Sequence, residues 1–207
     1  MDAGRIHRAM FRTWEIDPAY SRMRSFEVRT PYREQLPKYT AQFERLREVV
    51  KVEALNRKEA LIVGPGLSPD EAVFVLGTYP GLIKLHLVDW HEPNIKYLER
   101  VFTDWEKENP EYRKTELHVA DAACIETISN DSVGLVFMHQ VIESLDYLDH
   151  VVEIFKEMRR VLAGGGVLFT LGSRIDERLE KHLNDTGFAR VPNRHGLAQN
   201  DIWRKVA

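Results

Sequence analysis

A glycine turn and an acid 23 residues further on form the strongest chemical signal in the sequence. Gly64 and Gly66 flank Pro65 directly after a short apolar run, and Asp89 follows the next apolar run. Glycine lets a ligand approach the main chain without a Cβ in the way, and a carboxylate can accept hydrogen bonds from two neighbouring hydroxyls. Nucleotide-binding units place such an acid at a similar offset, about 20 residues. The pattern therefore predicts a nucleotide-type cradle.

Apolar runs alternate with amphipathic stretches around these residues, which is typical of an α/β fold. The last two predicted strands lie too close together for a helical crossover, so we expect them to pair antiparallel. We therefore predict a doubly wound, mostly parallel seven-stranded sheet with an antiparallel last strand. The predicted strands are Ala60–Val63, Leu82–Val88, Glu116–Ala120, Val133–Met138, Val167–Leu171, Phe188–Val191 and Asp201–Val206.

Capping residues and glycines predict where the helices begin and end. Ser68 is typical of a helix N-cap, with Pro69 in the first helical position. Glu71 is then expected as a first-turn acid that the helix dipole favours. The glycines at 164–166 are expected to end the helix before the fifth strand. Cys124 is the one cysteine, so we expect no disulfide and no Cys-x-x-Cys metal site, and a small buried side chain at this position.

Length and charge set the class of protein. The chain has 207 residues, 43% of them apolar, and a formal charge of −3, which suits one domain with an extension and offers no attraction for nucleic acid. We divide it into a helical arm or lid at residues 1–57 and a main domain at residues 58–207. Seven arginines in residues 1–33 could bind an acidic substrate, but we favour an arm that packs its aromatic rings on the domain. Without a membrane-length apolar run or a secretory signal, we expect a cytoplasmic protein.

Four features of the sequence share the pattern of one enzyme family. They are the turn Val63-Gly64-Pro65-Gly66, Asp89 after the second strand, Asp121-Ala122 after the third strand, and the block VFMHQVIESL…IFKEMRRVLAGGGVLFTLG at residues 136–172. Over roughly residues 58–207 the chain resembles a class I S-adenosylmethionine-dependent methyltransferase of the small-molecule branch. The resemblance implies a Rossmann-like methyltransferase fold, with S-adenosylmethionine as the cofactor and no metal.

The resemblance also implies a role for each matching position near the first two strands. Gly64 and Gly66, with Pro65 between them, would lie against the methionine part and the ribose of the cofactor. Asp89 would bind the ribose hydroxyls. Trp90 would flank the adenine, since an indole can stack on a purine; the alternative is that its ring covers the edge of the sheet.

Positions after the third and fourth strands complete the implied site. Asp121, followed by Ala122, would receive the adenine amine, although an acid here also suits the cap of a turn. His139 and Gln140 would lie near the sulfonium and the substrate. If the acceptor needs a general base, His139 and Glu143 are the candidates, because imidazole titrates near neutrality and burial can tune a carboxylate. The structural alternatives are a strand cap for His139 and a surface helix position for Glu143.

Two positions differ from the family pattern and support alternative hypotheses. Ile62 stands where the family usually has an acid that holds the cofactor's amino group, and Ser68 replaces the usual third glycine. A non-catalytic binding protein with this fold is therefore the first alternative. An NAD(P)-dependent oxidoreductase is the second, but Pro69 stands where the dinucleotide motif needs its third glycine.

The methyl acceptor is constrained by motifs that the sequence lacks. Neither an Asn/Asp-Pro-Pro-aromatic motif nor a Pro-Cys nucleophile pair follows the fourth strand. Together with the mild negative charge, this disfavours nucleic-acid substrates. We expect in-line methyl transfer to a small molecule, with a protein side chain as the second choice.

Overall fold

The computed structural model describes residues 57–66, 69, 71–72, 75–76, 79, 81–108, 114–139, 141–142, 148–172, 175–192 and 201–206. The predicted arm lies outside the described residues except for Arg57, as do Ser68, Gln140 and Glu143. The predictions for these positions remain predictions.

Within the described residues, seven strands form one sheet in the order β3-β2-β1-β4-β5-β7-β6. β1 pairs in parallel with β2 and β4, and β7 is antiparallel to both β5 and β6. The predicted mostly parallel sheet with a reversed last strand is thus confirmed. The strands are β1 (Glu59–Val63), β2 (Lys84–Asp89), β3 (Thr115–Val119), β4 (Val133–His139), β5 (Leu162–Leu171), β6 (Phe188–Arg190) and β7 (Asp201–Lys205).

Helices cover both faces of the sheet because alternate residues of the central strands point to opposite sides. α1 (Glu92–Glu108) and the helical residues 71–72 and 75–76 pack on the face that carries Ile62. α2 (Leu148–Val161) and α3 (Glu177–Asp185) pack on the face that carries Leu61. Each fully buried Leu or Phe in these layers contributes roughly 1.5–3 kcal/mol relative to exposure.

β5 begins earlier than the glycines at 164–166 suggest. α2 ends at Val161 and the strand starts at once with Leu162, so the glycines lie inside the strand. Three extra residues bulge out of β5, because its pairing partner on β4 moves only from Val133 to Leu135 while β5 moves from Leu162 to Val167. A Cβ at Gly166 would lie 2.9 Å from the carbonyl oxygen of Ala163. The glycines therefore permit a bulge and do not end the helix.

The connection between β3 and β4 is held to α2 by a side-chain network that we call the Glu157–Arg160 latch. The carboxylate of Glu157 accepts hydrogen bonds from Arg160 Nε at 2.8 Å, from Arg160 Nη2 at 2.7 Å and from the backbone N–H of Ile125 at 2.6 Å. Arg160 also donates to the carbonyl oxygens of Ile125 and Ile128. The hydrogen bonds from Arg160 hold the pKa of Glu157 below its usual range.

Cys124 is exposed, so the prediction of a buried side chain is wrong. The residue ends a turn in which its backbone N–H donates to the carbonyl oxygen of Asp121 at 2.9 Å. The turn directs the side chain outward, while the next residue, Ile125, enters the core. None of the helices in the described residues is long and apolar enough to cross a membrane.

Candidate functional site

The glycine turn begins where β1 ends, at the edge of the sheet formed by the carboxyl ends of the parallel strands. Gly64 donates its N–H to the carbonyl oxygen of Val88 at 2.8 Å, which holds the turn against β2. Both glycines have positive φ angles, 63° for Gly64 and 57° for Gly66. Most side chains are strained in that region of backbone space, which favours glycine at both positions.

The two glycines differ in what surrounds them. A Cβ at Gly64 would lie 2.8 Å from Cγ2 of Val141, so this glycine allows the residues after β4 to pack on the turn. A Cβ at Gly66 would meet no described atom within 4 Å. Nothing in the described part of the chain covers this face of Gly66, so a ligand can approach its main chain closely.

Asp89 is buried at the end of β2 and connects three parts of the site. Its Oδ2 accepts hydrogen bonds from the backbone N–H of Gly66 at 3.1 Å and from Asn94 Nδ2 at 3.1 Å. Its Oδ1 accepts the backbone N–H of His91 at 2.8 Å. A carboxylate offers about four acceptor positions, so one on Oδ1 is left by the donors among the described residues. Asp89 thus shapes the turn and the start of α1 while it keeps acceptor capacity.

Glu71 and His139 form a buried pair at the same edge. His139 is the last residue of β4, and its Nδ1 lies 2.8 Å from Oε1 of Glu71. The other oxygen, Oε2, is buried and has no hydrogen-bond partner among the described residues. Only 6% of Glu71 is exposed. An unsatisfied acceptor at this depth costs about 1–3 kcal/mol, which a donor group on a ligand would offset.

The pairing of β1 with β4 places this pair beside Ile62. Ile62 lies opposite Phe137, and His139 points to the same face because it is two residues further along β4. Asp89 shares that face with Leu87. The described edge therefore has two carboxylates, those of Asp89 and Glu71, on the same side of the sheet as the apolar side chain of Ile62.

A model of the methyltransferase domain family matches residues 71–170. These residues hold Glu71, Asp89 and His139 and run from the helical residues after the glycine turn into β5. Over these residues the chain is similar to the methyltransferase domain family. No protein of curated function matches the chain in sequence.

Solved methyltransferase structures share the fold of the chain. The TehB-like S-adenosylmethionine-dependent methyltransferase from Corynebacterium glutamicum has a TM-score of 0.59 at 14% identity, covering 92% of this chain and 100% of that one. The carbon methyltransferase CurJ has a TM-score of 0.55 at 15% identity, covering 72% of this chain. The geranyl diphosphate C-methyltransferase from Streptomyces coelicolor A3(2), solved with S-adenosyl-L-homocysteine, has a TM-score of 0.56 at 13% identity, covering 74% of this chain.

At these identities the likeness establishes the methyltransferase fold. The chain spans 48% of the length of CurJ and 61% of the Streptomyces enzyme. The predicted resemblance to class I methyltransferases is confirmed, both by the matching family model and by the order of the strands.

The remaining predicted residues of the methyltransferase domain lie at the ends of β2 and β3. Trp90 is 79% exposed, so the alternative that its ring covers the sheet edge is wrong. The backbone N–H of Ala120 donates to the carbonyl oxygen of Asp89 at 3.2 Å, which keeps Asp121 and Ala122 close to β2. Oδ1 of Asp121 accepts the N–H of Ala123 at 2.8 Å, so its predicted role as a turn cap is confirmed. Its contact with adenine stays a prediction.

Sequence reasoning missed two residues of this edge. Glu71 was expected to act only on the helix dipole, and its pairing with His139 joins positions 68 residues apart. No pattern in a single sequence signals that contact. Asn94 gives a weak signal, since a first-turn amide five residues after Asp89 lies within reach of its carboxylate.

A separate cleft of about 700 Å³ lies between α2, α3 and the turn before β4. Its lining includes Asp131, Gly187 and Lys205, which lie at the amino ends of β4 and β6 and at the end of the reversed β7. The cleft is therefore on the opposite edge of the sheet from the glycine turn. Within it, Lys205 Nζ lies 2.6 Å from Oδ1 of Asp131. It is a surface cleft outside the candidate site.

Proposed function

We propose that the chain is an S-adenosylmethionine-dependent methyltransferase that acts on a small molecule. The observation that carries the proposal is one edge of the sheet, where the open face of Gly66 after β1, the carboxylate of Asp89 at the end of β2 and an oxygen of the helical residue Glu71 lie together. Among the described residues that oxygen of Glu71 has no hydrogen-bond partner. The carboxyl ends of parallel strands are where open α/β sheets bind ligands.

The residues of this edge fit the chemistry of the cofactor. S-adenosylmethionine carries an ammonium group, a sulfonium and two ribose hydroxyls, all of which favour anionic or acceptor partners. Asp89 offers its remaining acceptor position to the hydroxyls. Glu71 offers Oε2, and we assign it to the ammonium group. Glu71 would thereby do the work of the acid that the family usually has at position 62.

His139 holds the carboxylate of Glu71 in place through a hydrogen bond. A carboxylate can only accept, so in the hydrogen bond of 2.8 Å the hydrogen lies on Nδ1 of His139. A neutral imidazole then has its lone pair on Nε2, which suits proton transfer from an acceptor that is protonated at neutral pH. Glu143 remains the other candidate base.

The bound cofactor supplies a methyl group that the sulfonium already activates. The protein's part is to orient the acceptor in line with that group and to exclude water, since alignment alone can contribute several kcal/mol. Residues on the buried strand ends are well suited to this because their rotamers are fixed by packing. No covalent intermediate on the protein is needed.

A small-molecule acceptor is favoured by the structural relatives. CurJ is a carbon methyltransferase, and the Streptomyces enzyme methylates carbon in geranyl diphosphate. The formal charge of −3 gives no support to a nucleic-acid acceptor. A protein side chain is the second choice.

Calorimetric titration of the full chain with S-adenosylmethionine, S-adenosylhomocysteine, NAD and NADP tests the proposal. We expect micromolar binding of the first two and at least a tenfold loss in Asp89→Ala, because both the ribose contact and the shape of the turn depend on this carboxylate. Asp104→Ala, an exposed acid on α1, is the matched control and should bind normally. Thermal unfolding of each variant separates lost binding from lost structure.

Each ligand result has a definite meaning. Binding of NAD or NADP in place of the sulfonium compounds would establish the oxidoreductase alternative. Binding of no ligand would overturn the proposal. Binding of S-adenosylmethionine with no methyl transfer across a screen of amines, carboxylates, phenols and enolates would favour the non-catalytic alternative, for which Ile62 is the supporting observation.

A further inference from the structure

Two histidines and a glutamate converge on the Leu61 face of the sheet, away from the glycine turn. Nδ1 of His86 lies 3.0 Å from Nε2 of His118 and 3.6 Å from Oε2 of Glu116. The three ligand atoms all lie within 4.8 Å of one another. We propose that these side chains form a binding site for a divalent transition metal ion, with Zn²⁺ as the ion that the ligand set fits best.

Strand register brings the three ligands together. His86 on β2 lies opposite Glu116 on β3, and Val88 lies opposite His118. Because side chains alternate between faces, Glu116 and His118 point to the same side as His86. β3 is an edge strand, and the side chain of Glu116 is 47% exposed. An ion can therefore reach a site whose inner ligand, His86, is almost fully buried.

The distances match those of a zinc site. Ligands bound about 2.0–2.1 Å from a tetrahedral ion lie roughly 3.3–3.4 Å apart. The separations of Nδ1 of His86 from the other two ligand atoms, 3.0 and 3.6 Å, lie on either side of that value. Two imidazoles and one carboxylate, with a fourth position open to water, form a common zinc ligand set. All-oxygen sites favour Mg²⁺, Ca²⁺ or Mn²⁺ instead.

Each histidine is held from behind by an oxygen. Nε2 of His86 lies 3.1 Å from Oε2 of Glu59, and Nδ1 of His118 lies 3.0 Å from Oγ1 of Thr127. Metal-binding histidines usually donate their other ring N–H to such an oxygen, which fixes the ring and its tautomer. The Glu59 carboxylate requires the hydrogen on Nε2 of His86, so a neutral His86 points its lone pair at the centre of the cluster.

Glu116 is held in the same way. Its Oε1 pairs with Lys84 Nζ at 3.0 Å, which leaves Oε2 on the side of the histidines. Thr127 belongs to the connection that the Glu157–Arg160 latch holds. The site would thus tie β2, the edge strand β3 and that connection together, separate from the edge that carries Asp89.

The alternative is a chain of hydrogen bonds with no ion. In that arrangement His118 donates its Nε2–H to His86 and accepts the hydroxyl hydrogen of Thr127. Ion binding requires only that His118 move its hydrogen to Nδ1, toward Thr127. The two states therefore differ in tautomer, and metal titration distinguishes them.

The test is zinc titration of the full, untagged chain after treatment with a chelator and dialysis. We expect about one Zn²⁺ per chain by elemental analysis, a higher melting temperature with Zn²⁺, and tetrahedral visible absorption when Co²⁺ replaces it. Glu59→Gln should weaken binding about 10–100-fold, as changes to such supporting groups do. Glu116→Gln and His118→Gln remove a ligand and should cost more.

His182→Gln, which changes a histidine on α3 outside the cluster, is the matched control and should bind as the wild type does. Glu116→Gln keeps the test decisive if His118→Gln fails to fold, because Glu116 is half exposed and its loss leaves the core intact. Absence of stoichiometric Zn²⁺ and Co²⁺ binding, or binding unchanged in Glu116→Gln, would overturn the proposal.

Discussion

Two buried glutamates, Glu157 and Glu71, differ in how many of their carboxylate oxygens have hydrogen-bond partners among the described residues. Both oxygens of Glu157 are engaged, by Arg160 and by the backbone N–H of Ile125. Glu71 has His139 on one oxygen, and its other oxygen has no partner in the described part of the chain. The first is a finished structural contact between α2 and the connection before β4. The second keeps acceptor capacity at the edge where we propose that the cofactor binds.

The difference supports the proposal that Glu71 serves binding, whereas Glu157 serves stability. Leaving a buried acceptor unsatisfied costs about 1–3 kcal/mol, and proteins tolerate such costs chiefly at functional sites. Substitutions at the two sites test this difference, because a change in the latch should affect stability and a change at Glu71 should affect cofactor binding.

The largest expected effect comes from breaking the latch with Arg160→Ala. This leaves the carboxylate of Glu157 buried without its cation, which costs about 3–5 kcal/mol in buried pairs. The side chain of Arg160 is 32% exposed, so we expect a value near 3 kcal/mol. Urea unfolding measures it. Lys156→Ala, which breaks an exposed pair on the same helix, should cost less than about 0.5 kcal/mol. Equal losses in the two variants would show that the latch is an ordinary surface contact.

The next effect comes from replacing each of the two glutamates with glutamine, which should change affinity at one site and stability at the other. Glu71→Gln should weaken S-adenosylmethionine binding roughly 10–100-fold, because a hydrogen bond to a charged group is worth about 1.5–3 kcal/mol. Its thermal stability should stay close to that of the wild type. Glu157→Gln should do the reverse, losing stability and keeping the affinity. If both variants bind the cofactor as the wild type does, Glu71 has no part in the site.

The smallest effect is a dependence of the latch on pH. Because Arg160 lowers the pKa of Glu157 in the folded state, near pH 4 the unfolded chain binds more protons at this residue than the folded chain does. The stabilisation from Glu157 is therefore complete above the unfolded pKa of about 4.3–4.5 and is lost as the pH falls through the folded pKa.

Urea unfolding of the wild type and of Glu157→Gln between about pH 6 and pH 3 checks this, since other carboxylates cancel in the difference. The stability difference between the two proteins should shrink as the pH falls. A difference that stays constant across the range would contradict the lowered pKa.

Most of the fold could be predicted from local patterns. Continuous apolar runs such as 60–63 and 133–138 occur where both faces of a strand are covered. The short connection before β7 leaves room only for an antiparallel pair. The bulge in β5 could not be predicted, because glycines are equally typical of a helix end and of an irregular strand. Only the pairing with β4 decides between the two.

The candidate site was predictable only in part, for a similar reason. Asp89 and the glycine turn lie at a fixed offset along the sequence, so a pattern predicts their meeting. Glu71 meets His139, and His86 meets His118, through the register of the sheet and the packing of a helix. Such contacts depend on how strands align across the sheet, which no local periodicity contains.

The contact between Gly64 and Val141 has a consequence for how the sequence can drift. Gly64 is constrained twice, by its φ angle of 63° and by the Val141 side chain 2.8 Å from where a Cβ would lie. Gly66 is constrained by its φ angle alone. Asparagine tolerates that backbone region, so a change to asparagine is possible at position 66, whereas at position 64 the Val141 side chain opposes it. Replacing Val141 with a smaller residue removes the steric constraint on position 64 but not the constraint from its φ angle. The effect of a substitution at position 64 therefore depends on the residue at position 141.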